Sequence, residues 1–493
     1  MAEMHGYDWV SKWALYSPNH IALQEHGSGA VISYKDLNEK ADALSSYFNN
    51  GLRLQKGDRI ACIAMYSISY VVLFVACQKT GIILVPLNYR LASKELGEII
   101  HDADPKFIFA QDQFSSLIPQ SHHYQLLELD FHSIPLNTTF DRTSIDEDDP
   151  IMILYTSGTS GSPKGVLYSH KMLFWNSINT EISLHINSNS KTIIVMPSFH
   201  TGGWNVLLTP LLHHGGFTYL MQKFDAEEVM QKIEETQCNV FMGVPTMLAM
   251  MAQESSFEKW NPKYLDYIIV GGEAMPLALI EKYAKKNIAI RQGYGMTEVG
   301  PNLTSLHQDD AIRKMGSIGR PNFYVDIKII KENGDSALVD ENGELWLKGP
   351  MVTKAYFRND EASLNAFSED GHWFKTGDIV RQDSEQYLFI IDRLKNMFIS
   401  GGENVYPAEV ERALRKMKAI KECAVIGIPD EKWGEVGKAF IVINEGHDVC
   451  DQDITSHCSI YLAKYKIPKQ IIFINKLPKT DSGKINHKIL KNL

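Results

Sequence analysis

The sequence lacks the features that mark secreted, membrane-spanning and nucleic-acid-binding proteins. Only six of its 493 residues are cysteines and no two of them form a C-x-x-C pair, which favours reduced thiols over a disulfide or zinc framework. The longest apolar run that we find, Tyr70 to Cys77, is too short to cross a bilayer, so we expect no integral membrane segment. A net charge of -10 argues against a nucleic-acid partner, and the first residues lack the basic start and apolar core of a signal peptide. We therefore expect a cytoplasmic location.

What the sequence has in quantity is alternation between short β-rich runs and helical patterns. The β-rich runs include Arg59–Ala64, Gly81–Pro86, Thr192–Met196, Val240–Met242 and Tyr267–Val270. Because strands separated by helices tend to pair in parallel, we predict an α/β fold with a large N-terminal domain of layered subdomains. No G-x-G-x-x-G follows these runs, so a dinucleotide-binding Rossmann site is not expected. Past about residue 320, short strands and turns predict a β-barrel-like subdomain, followed by a small C-terminal α/β domain.

The segment Tyr155–Gly165, YTSGTSGSPKG, has the composition of a phosphate-binding loop. Glycines let backbone N–H groups approach phosphate oxygens closely, hydroxyl side chains add donors, and Lys164 adds positive charge. The spacing differs from that of the P-loop, because Lys164 is followed by Gly165 rather than by Ser or Thr. Taken alone, the segment favours a phosphate-binding loop, and the alternative is a Ser- and Gly-rich surface loop.

Two further motifs suit a purine nucleotide, and the first of them follows a predicted strand. The glycines of Gly271–Pro276, GGEAMP, would let a flat ligand lie against the backbone, although a strand-ending turn explains this motif as well. In Gln292–Glu298, QGYGMTE, Tyr294 can stack on a base, Thr297 can donate to a phosphate, and Glu298 is a carboxylate suited to Mg²⁺. The alternative for this second motif is a buried tyrosine next to a surface glutamate.

Four shorter motifs complete the series, and of these T-G-D would be an ordinary turn on its own. They are Thr376–Asp378 (TGD), Asp392–Lys395 (DRLK), Ser400–Pro407 (SGGENVYP) and Pro478–Lys484 (PKTDSGK). A lysine in a C-terminal turn is ordinarily solvated, so a functional role for Lys484 is indicated only by its position after the other motifs.

In this order the motifs resemble those of the adenylate-forming enzymes, which include acyl-CoA synthetases, aryl-CoA ligases, luciferases and peptide-synthetase adenylation domains. The resemblance extends from about residue 10 to Leu493 and is strongest to fatty acyl-CoA synthetases. It implies an enzyme that converts a carboxylic acid to its acyl-AMP and then transfers the acyl group to coenzyme A, releasing pyrophosphate and AMP. The implied cofactors are ATP, Mg²⁺ and coenzyme A. An acyl carrier protein is an alternative acceptor, a homodimer is compatible with the resemblance, and a non-catalytic nucleotide sensor is the alternative from another class.

The resemblance also implies roles for individual residues. The implied catalytic residues are Lys484, Glu298 (which would bind Mg²⁺), Thr156 and His200. The implied ATP- and AMP-binding residues are Thr156, Ser157, Gly158, Thr159, Ser160, Gly161, Lys164, Gly272, Glu273, Ala274, Gln292, Gly293, Tyr294, Gly295, Met296, Thr297, Asp378, Arg393 and Lys484. The implied acyl-pocket residues are His200, Gly203, Trp204, Gly243, Gly271 and Gly295. The implied coenzyme A contacts are Lys395, Gly401 and Gly402.

By the same resemblance, residues 1–391 form the domain that binds AMP and the acyl group, and residues 392–493 form a mobile domain. Asp392 would be the hinge about which the mobile domain reorients between the two half-reactions. Asp378 would accept the ribose hydroxyls, and Arg393 would reach ribose or phosphate with its planar guanidinium. Lys484 would contact the substrate carboxylate and the α-phosphate, stabilising charge as pyrophosphate leaves.

Residues Ser198–Trp204, SFHTGGW, occupy the position where this family builds its acyl pocket. Amino-acid-activating relatives have an aspartate in this region and the segment has none, which favours an uncharged, apolar acid. His200 matches a histidine that lies next to the carboxylate, and Trp204 matches a tryptophan that gates the tunnel of some fatty acyl-CoA synthetases, with core packing as the alternative. Three glycines would leave room for an apolar tunnel: Gly202, Gly203 and Gly243. The predicted substrate is a medium- or long-chain fatty acid, and the alternative is an aryl acid of the coumarate, benzoate or succinylbenzoate type.

Overall fold

The computed structural model describes residues 7–119, 122, 124–127, 134, 143–157, 163–272, 275–400, 403–480 and 484–493, and the chain divides into two compact units. The N-terminal unit consists of Met1–Ile327 and Leu347–Phe374, and the C-terminal unit of Lys328–Trp346 and Lys375–Leu493. The predicted domains, 1–391 and 392–493, meet at a hinge, which is a point about which one domain moves. The division into compact units does not measure movement, so it does not test the hinge. That boundary therefore stays a prediction.

The N-terminal unit alternates helices and strands along the chain. Its helices in the described ranges are α1 Trp9–Tyr16, α2 Tyr34–Ser46, α3 Ile68–Thr80, α4 Ser93–Ala103, α5 His170–Leu184, α6 Thr201–Asn205, α7 Leu208–His214, α8 Ala226–Glu235, α9 Pro245–Gln253, α10 Leu277–Ala284 and α11 Asp360–Asn365. Its strands are β1 Ile21–Glu25, β2 Val31–Ser33, β3 Arg59–Ile63, β4 Ile83–Pro86, β5 Phe107–Ala110, β6 Gln125–Leu126, β7 Pro150–Ser157, β8 Pro163–Ser169, β9 Lys191–Ile194, β10 Phe217–Leu220, β11 Val240–Gly243, β12 Tyr267–Val270, β13 Ala289–Tyr294, β14 Thr304–Ser305 and β15 Arg320–Pro321. The five β-rich runs predicted from the sequence coincide with β3, β4, β9, β11 and β12, which confirms the α/β prediction.

These strands form three sheets in which parallel pairing is extensive. The largest has the order β6-β5-β3-β4-β7-β8, parallel from β6 to β7 and antiparallel between β7 and β8. The second has the order β2-β1-β10-β9, and the third β11-β12-β13-β14-β15. In the third sheet β11, β12 and β13 are parallel. Because the carboxyl ends of parallel strands meet at one edge, the segments that follow β12 and β13 come together there.

Local signals set where several helices begin and end. The Ser33 hydroxyl accepts the N–H of Asp36, whose carboxylate accepts the N–H of Ser33, so α2 starts with a capping box. Ser67 caps α3, which ends at Gly81 with a φ of 70°, a left-handed conformation that glycine adopts without strain. The apolar run Tyr70–Cys77 lies within α3 and is buried throughout. No helix within the described residues has the length and apolarity needed to span a membrane.

The C-terminal unit is built on two sheets. Its strands are β16 Asp326–Ile330, β17 Asn342–Lys348, β18 Phe374–Gln382, β19 Leu388–Arg393, β20 Phe398–Ser400, β21 Glu403–Val405, β22 Ile420–Asp430, β23 Gly434–Ile443 and β24 Gln470–Phe473, and its helices are α12 Pro407–Leu414, α13 Asp451–Tyr461 and α14 His487–Leu490. The β-rich segment predicted past residue 320 is a four-stranded sheet of order β16-β17-β18-β19. The second sheet has the order β21-β20-β23-β22, with β24 on β23. None of the six cysteines, all of which the structure describes, forms a disulfide, and all except Cys450 are buried.

Candidate active site

The predicted phosphate loop connects the two strands of a β-hairpin. Thr156 lies opposite Lys164 in the antiparallel register of β7 and β8, and the Thr156 hydroxyl donates to the Lys164 carbonyl at 3.4 Å. A hairpin differs from the strand-to-helix turn of a P-loop, in agreement with the spacing of the motif. The predicted ligands Gly158, Thr159, Ser160 and Gly161 and the side chain of Ser157 lie outside the described residues.

The two purine motifs lie at one edge of the third sheet, as the parallel pairing of their strands requires. Val270 at the end of β12 is paired with Gln292 on β13. The buried Gln292 side chain accepts the N–H of Met275 at 3.1 Å and donates to the Ser317 carbonyl at 3.4 Å, so it anchors the end of the GGEAMP turn. Gly272 in that turn has a φ of 87°, which favours glycine, whereas Glu273 and Ala274 lie outside the described residues.

The carboxylate of Glu298 is held in a short helical turn, Thr297–Val299, immediately after β13. It is 8% exposed, and its Oε1 atom accepts the Tyr356 hydroxyl at 3.0 Å. Burial and the neighbouring Glu298 carboxylate both raise the pKa of Tyr356, so this hydroxyl stays protonated and remains a donor. Mg²⁺ in nucleotide sites is commonly bound through one or two carboxylates together with substrate phosphates, so a single oriented carboxylate at Glu298 fits this ion.

The motif glycines differ sharply in how much space surrounds them. A Cβ atom at Gly295 would lie 2.1 Å from the carbonyl oxygen of Pro301, which is impossible without moving the backbone. At Gly293 the nearest atom would be the Thr304 carbonyl oxygen at 3.3 Å, and at Gly271 the Gly293 carbonyl oxygen at 3.6 Å. Gly295 is therefore required by close packing of the motif against its own next turn.

Gly295→Ala should lower the free energy of unfolding by about 3 kcal/mol, because backbone atoms must move to admit the methyl group. Gly271→Ala is the matched control in the same site: its methyl group would make only ordinary contacts, so a change of well under about 1 kcal/mol is expected. Urea denaturation of both variants, followed by tryptophan fluorescence, measures the difference. Equal unfolding midpoints for the two variants would contradict the steric account of Gly295.

Trp204, predicted to line or gate an acyl pocket, is completely buried. Its indole N–H donates to the Ser198 carbonyl at 2.6 Å, and its ring packs against Tyr66, Tyr70 and Phe74 with centroids 5.1–5.3 Å apart. This is the environment of a core residue, the alternative noted from the sequence. A gating role for Trp204 stays a prediction.

The glycines of the predicted acyl pocket are also unequal. A Cβ atom at Gly203 would lie 2.5 Å from the Pro197 carbonyl oxygen, and one at Gly243 would lie 2.7 Å from a methyl carbon of Leu248, so both are packed against protein. At Gly202 the nearest atoms would be the terminal methyl carbons of Met196 and Met242, both at 3.8 Å. Gly202 is thus the glycine with apolar, deformable surroundings. His200 precedes it as the residue before α6, and its ring centroid is 4.5 Å from that of Phe199.

In the C-terminal unit, the strand pairing brings together the two residues assigned to ribose. Asp378 on β18 lies opposite Arg393 on β19, and the Arg393 Nε atom is 2.6 Å from the buried Asp378 carboxylate. Glu344 on β17 contacts the T-G-D motif, which lies within β18: its carboxylate accepts the N–H of Gly377 at 3.0 Å and the indole N–H of Trp346 at 2.8 Å. Neither contact of Glu344 was predicted, since the sequence marked its segment only as a strand.

The predicted hinge residue Asp392 is held by several hydrogen bonds within the C-terminal unit. Its buried carboxylate accepts the backbone N–H of Arg393 at 2.6 Å, the amide of Asn396 at 3.1 Å, and the N–H of Ala408 in the first turn of α12 at 2.7 Å. A carboxylate at a helix N-terminus is stabilised by the exposed N–H groups and the helix dipole. The side chain therefore ties the end of β19 to α12, and its role as the hinge stays a prediction.

Two further predicted cationic residues, Lys395 and Lys484, also lie in the C-terminal unit. Lys395 follows β19, and burial, together with the positive charges of Arg393 and Lys484, lowers its pKa. Lys484 itself is exposed and precedes α14. Gly401 and Gly402, predicted to contact coenzyme A, lie outside the described residues.

Comparison with known proteins identifies the family. Residues 10–357 match the model of the AMP-binding enzyme family, and residues 409–484 match that of the AMP-binding enzyme C-terminal domain. The chain belongs to the AMP-binding enzyme family. The predicted adenylate-forming resemblance is thereby confirmed.

Individual members of the AMP-binding family match over nearly the whole chain. A feruloyl-CoA synthase of Amycolatopsis sp is 33% identical over 97% of this chain and 96% of its own length. A long-chain-fatty-acid–CoA ligase of Mycobacterium tuberculosis is 34% identical over 99% of this chain and 98% of its own. The o-succinylbenzoate coenzyme A synthetase of Bacillus subtilis, in complex with ATP and magnesium ion, superposes with a TM-score of 0.86 at 28% identity, covering 98% of this chain and 99% of that one.

These members confirm the predicted class, that of an AMP-forming acyl-CoA synthetase, and the predicted use of ATP, Mg²⁺ and coenzyme A. They also support the predicted fold, with a large N-terminal and a small C-terminal domain. The acids in their names differ: feruloyl, fatty acyl and succinylbenzoyl groups. Membership of the AMP-binding family therefore does not identify the acid that this enzyme activates.

Proposed function

We propose that this enzyme activates a medium- or long-chain fatty acid and transfers it to coenzyme A. The observation that carries the choice of acid is the environment of Gly202, where the methyl groups of Met196 and Met242 converge at 3.8 Å from a virtual side chain. Methionine side chains are unbranched and adaptable, so they suit a flexible alkyl chain better than a surface that must recognise one rigid ring. No acidic residue occurs in Ser198–Trp204, which agrees with an uncharged acyl group.

The proposed reaction has two steps. In the first, the carboxylate oxygen of the fatty acid attacks the α-phosphorus of ATP, the bond to the bridging oxygen breaks, and acyl-AMP and pyrophosphate form. In the second, the coenzyme A thiolate attacks the acyl carbon and AMP leaves with the electrons of the broken C–O bond. Both steps conserve atoms and charge without an oxidant or a reductant.

The described residues have distinct proposed roles in these steps. Lys164 would bind the outgoing phosphates and Lys484 would offset charge on the attacked phosphate in the first step. Asp378 and Arg393 would bind the ribose. Glu298 would hold Mg²⁺, which when bound neutralises charge on the ATP phosphates.

Pyrophosphate release against a panel of acids, with and without coenzyme A, tests the proposal. The panel runs from acetate through palmitate to benzoate, coumarate, ferulate and succinylbenzoate. We expect the highest kcat/KM among the medium and long aliphatic acids, and a thioester product only when coenzyme A is present. A maximum on ferulate or succinylbenzoate would replace the fatty acid by an aryl acid, and no pyrophosphate with any acid would contradict the proposed reaction.

A further inference from the structure

A segment outside every predicted motif connects the phosphate-loop hairpin to the Glu298 turn. In this segment, Thr353–Phe357, the N–H of Thr353 donates to the Glu298 carbonyl at 2.7 Å. Its other end, the N–H of Phe357, donates to the Gly165 carbonyl at 2.7 Å, and the Thr353 hydroxyl donates to the Leu167 carbonyl at 2.7 Å. The segment thus fixes the positions of β8 and of the Glu298 turn relative to each other within the N-terminal unit.

The side chain of Tyr356 in this segment contacts the two charged residues assigned to ATP phosphates and Mg²⁺. Its hydroxyl donates to Glu298 Oε1 at 3.0 Å, and the Lys164 ammonium lies 5.5 Å from the centroid of its ring. A cation within about 6 Å of a tyrosine ring is attracted to the ring face. One side chain therefore contacts an acid through its hydroxyl and a base through its ring.

Hydrogen bonds to a metal-binding carboxylate matter because they limit its orientation. A carboxylate that must rotate into place loses conformational freedom when it binds Mg²⁺, whereas one already held by a donor loses less. The Tyr356 hydroxyl holds one oxygen of Glu298 and so limits the rotation of the carboxylate. The ring similarly keeps the flexible Lys164 side chain next to the phosphate loop.

We propose that Tyr356 is a positioning residue that orients the Glu298 carboxylate for Mg²⁺ and holds the Lys164 ammonium at the phosphate loop. The inference rests on the proposed function, since it concerns the site of MgATP. It adds to that function a side chain that none of the recognised motifs includes.

Equilibrium binding of ATP to the full-length protein without acid or coenzyme A tests this role apart from catalysis. The quantity measured by calorimetry is the ratio of the ATP dissociation constants without and with saturating Mg²⁺. Tyr356→Phe keeps the ring and removes the hydroxyl, so we expect this ratio to fall about ten-fold with ATP binding in the absence of metal unchanged. Tyr356→Leu also removes the ring, so in this variant ATP binding without metal should weaken about three-fold.

Tyr283→Phe is the matched control, because Tyr283 is buried in the same unit and its hydroxyl donates to the Leu248 carbonyl at 2.9 Å. It should shift the thermal unfolding midpoint as much as Tyr356→Phe does, while retaining the wild-type Mg²⁺ ratio. A Tyr356→Phe protein with the wild-type ratio would overturn the inference alone. A wild-type protein whose ATP binding does not respond to Mg²⁺ would overturn the inference together with the proposed function.

Discussion

Replacing Lys484 with alanine should reduce acyl-AMP formation by about 10²- to 10³-fold, while thiolysis of supplied acyl-AMP by coenzyme A stays close to the wild-type rate. The reason is electrostatic: negative charge builds up on the attacked phosphate only in the first half-reaction, and a lysine ammonium that stabilises it has no corresponding role when AMP leaves. Pyrophosphate release measures the first half-reaction, and thioester formation from synthetic acyl-AMP measures the second.

The structure indicates that this variant will fold normally, because Lys484 is exposed and its side chain contributes little to the core of the C-terminal unit. Lys479→Ala is a suitable control. Lys479 belongs to the same motif and is also partly exposed, but its ammonium is paired with Glu422 at 2.9 Å. We expect near-wild-type rates in both half-reactions for this control. Equal losses in the two half-reactions for Lys484→Ala would contradict the assigned role.

Five strands of the N-terminal unit could be predicted from the sequence because each carries a local signal. β3, β4, β11 and β12 are short apolar runs, as expected for parallel strands that are covered on both faces. Parallel pairing of β12 with β13 brings the turns after these strands to one edge. β13 was not among the predicted strands, so the proximity of the two purine motifs came from the structure.

Contacts between distant segments could not be predicted in this way. Tyr356 and Glu298 are 58 positions apart, and no periodicity or spacing joins the segment of Tyr356 to the loop of Lys164. Nothing in the sequence around Glu344 indicates that its carboxylate accepts the N–H of Gly377, the residue before Asp378. Such contacts depend on how separate elements pack, which a single sequence does not encode in local patterns.

The predicted acyl pocket is a second case in which the sequence pattern alone does not determine the packing. A tryptophan preceded by two glycines is compatible with a tunnel wall or with a dense core, because both need large and small side chains in proximity. Only the packing separates the two cases. It places Trp204, Gly203 and Gly243 against protein atoms and leaves Gly202 next to deformable methionine side chains.

Glu298→Gln should lower the rate of pyrophosphate release by about 10²- to 10³-fold and remove most of the effect of Mg²⁺ on ATP affinity. Glutamine has the size of glutamate and its carbonyl oxygen can still accept the Tyr356 hydroxyl, which in the wild type lies 3.0 Å from Oε1. The substitution therefore removes the negative charge and leaves the geometry largely in place. Because Mg²⁺ binds hard, charged oxygen ligands, the loss of charge alone should weaken its binding.

Asp102→Asn provides the control, since Asp102 also accepts a tyrosine hydroxyl, that of Tyr155 at 2.5 Å, and belongs to none of the motifs. In Asp102→Asn, the Mg²⁺ effect on ATP affinity and the rate of pyrophosphate release should both stay near the wild-type values, even if the unfolding midpoint falls. Glu298→Gln and Tyr356→Phe together separate the charge of the carboxylate from its orientation. Glu298→Gln should remove most of the Mg²⁺ effect on ATP affinity, whereas Tyr356→Phe should reduce it by a smaller factor. A Glu298→Gln enzyme that keeps wild-type Mg²⁺ dependence would mean that the ion binds elsewhere, and the role assigned to Tyr356 would then be wrong as well.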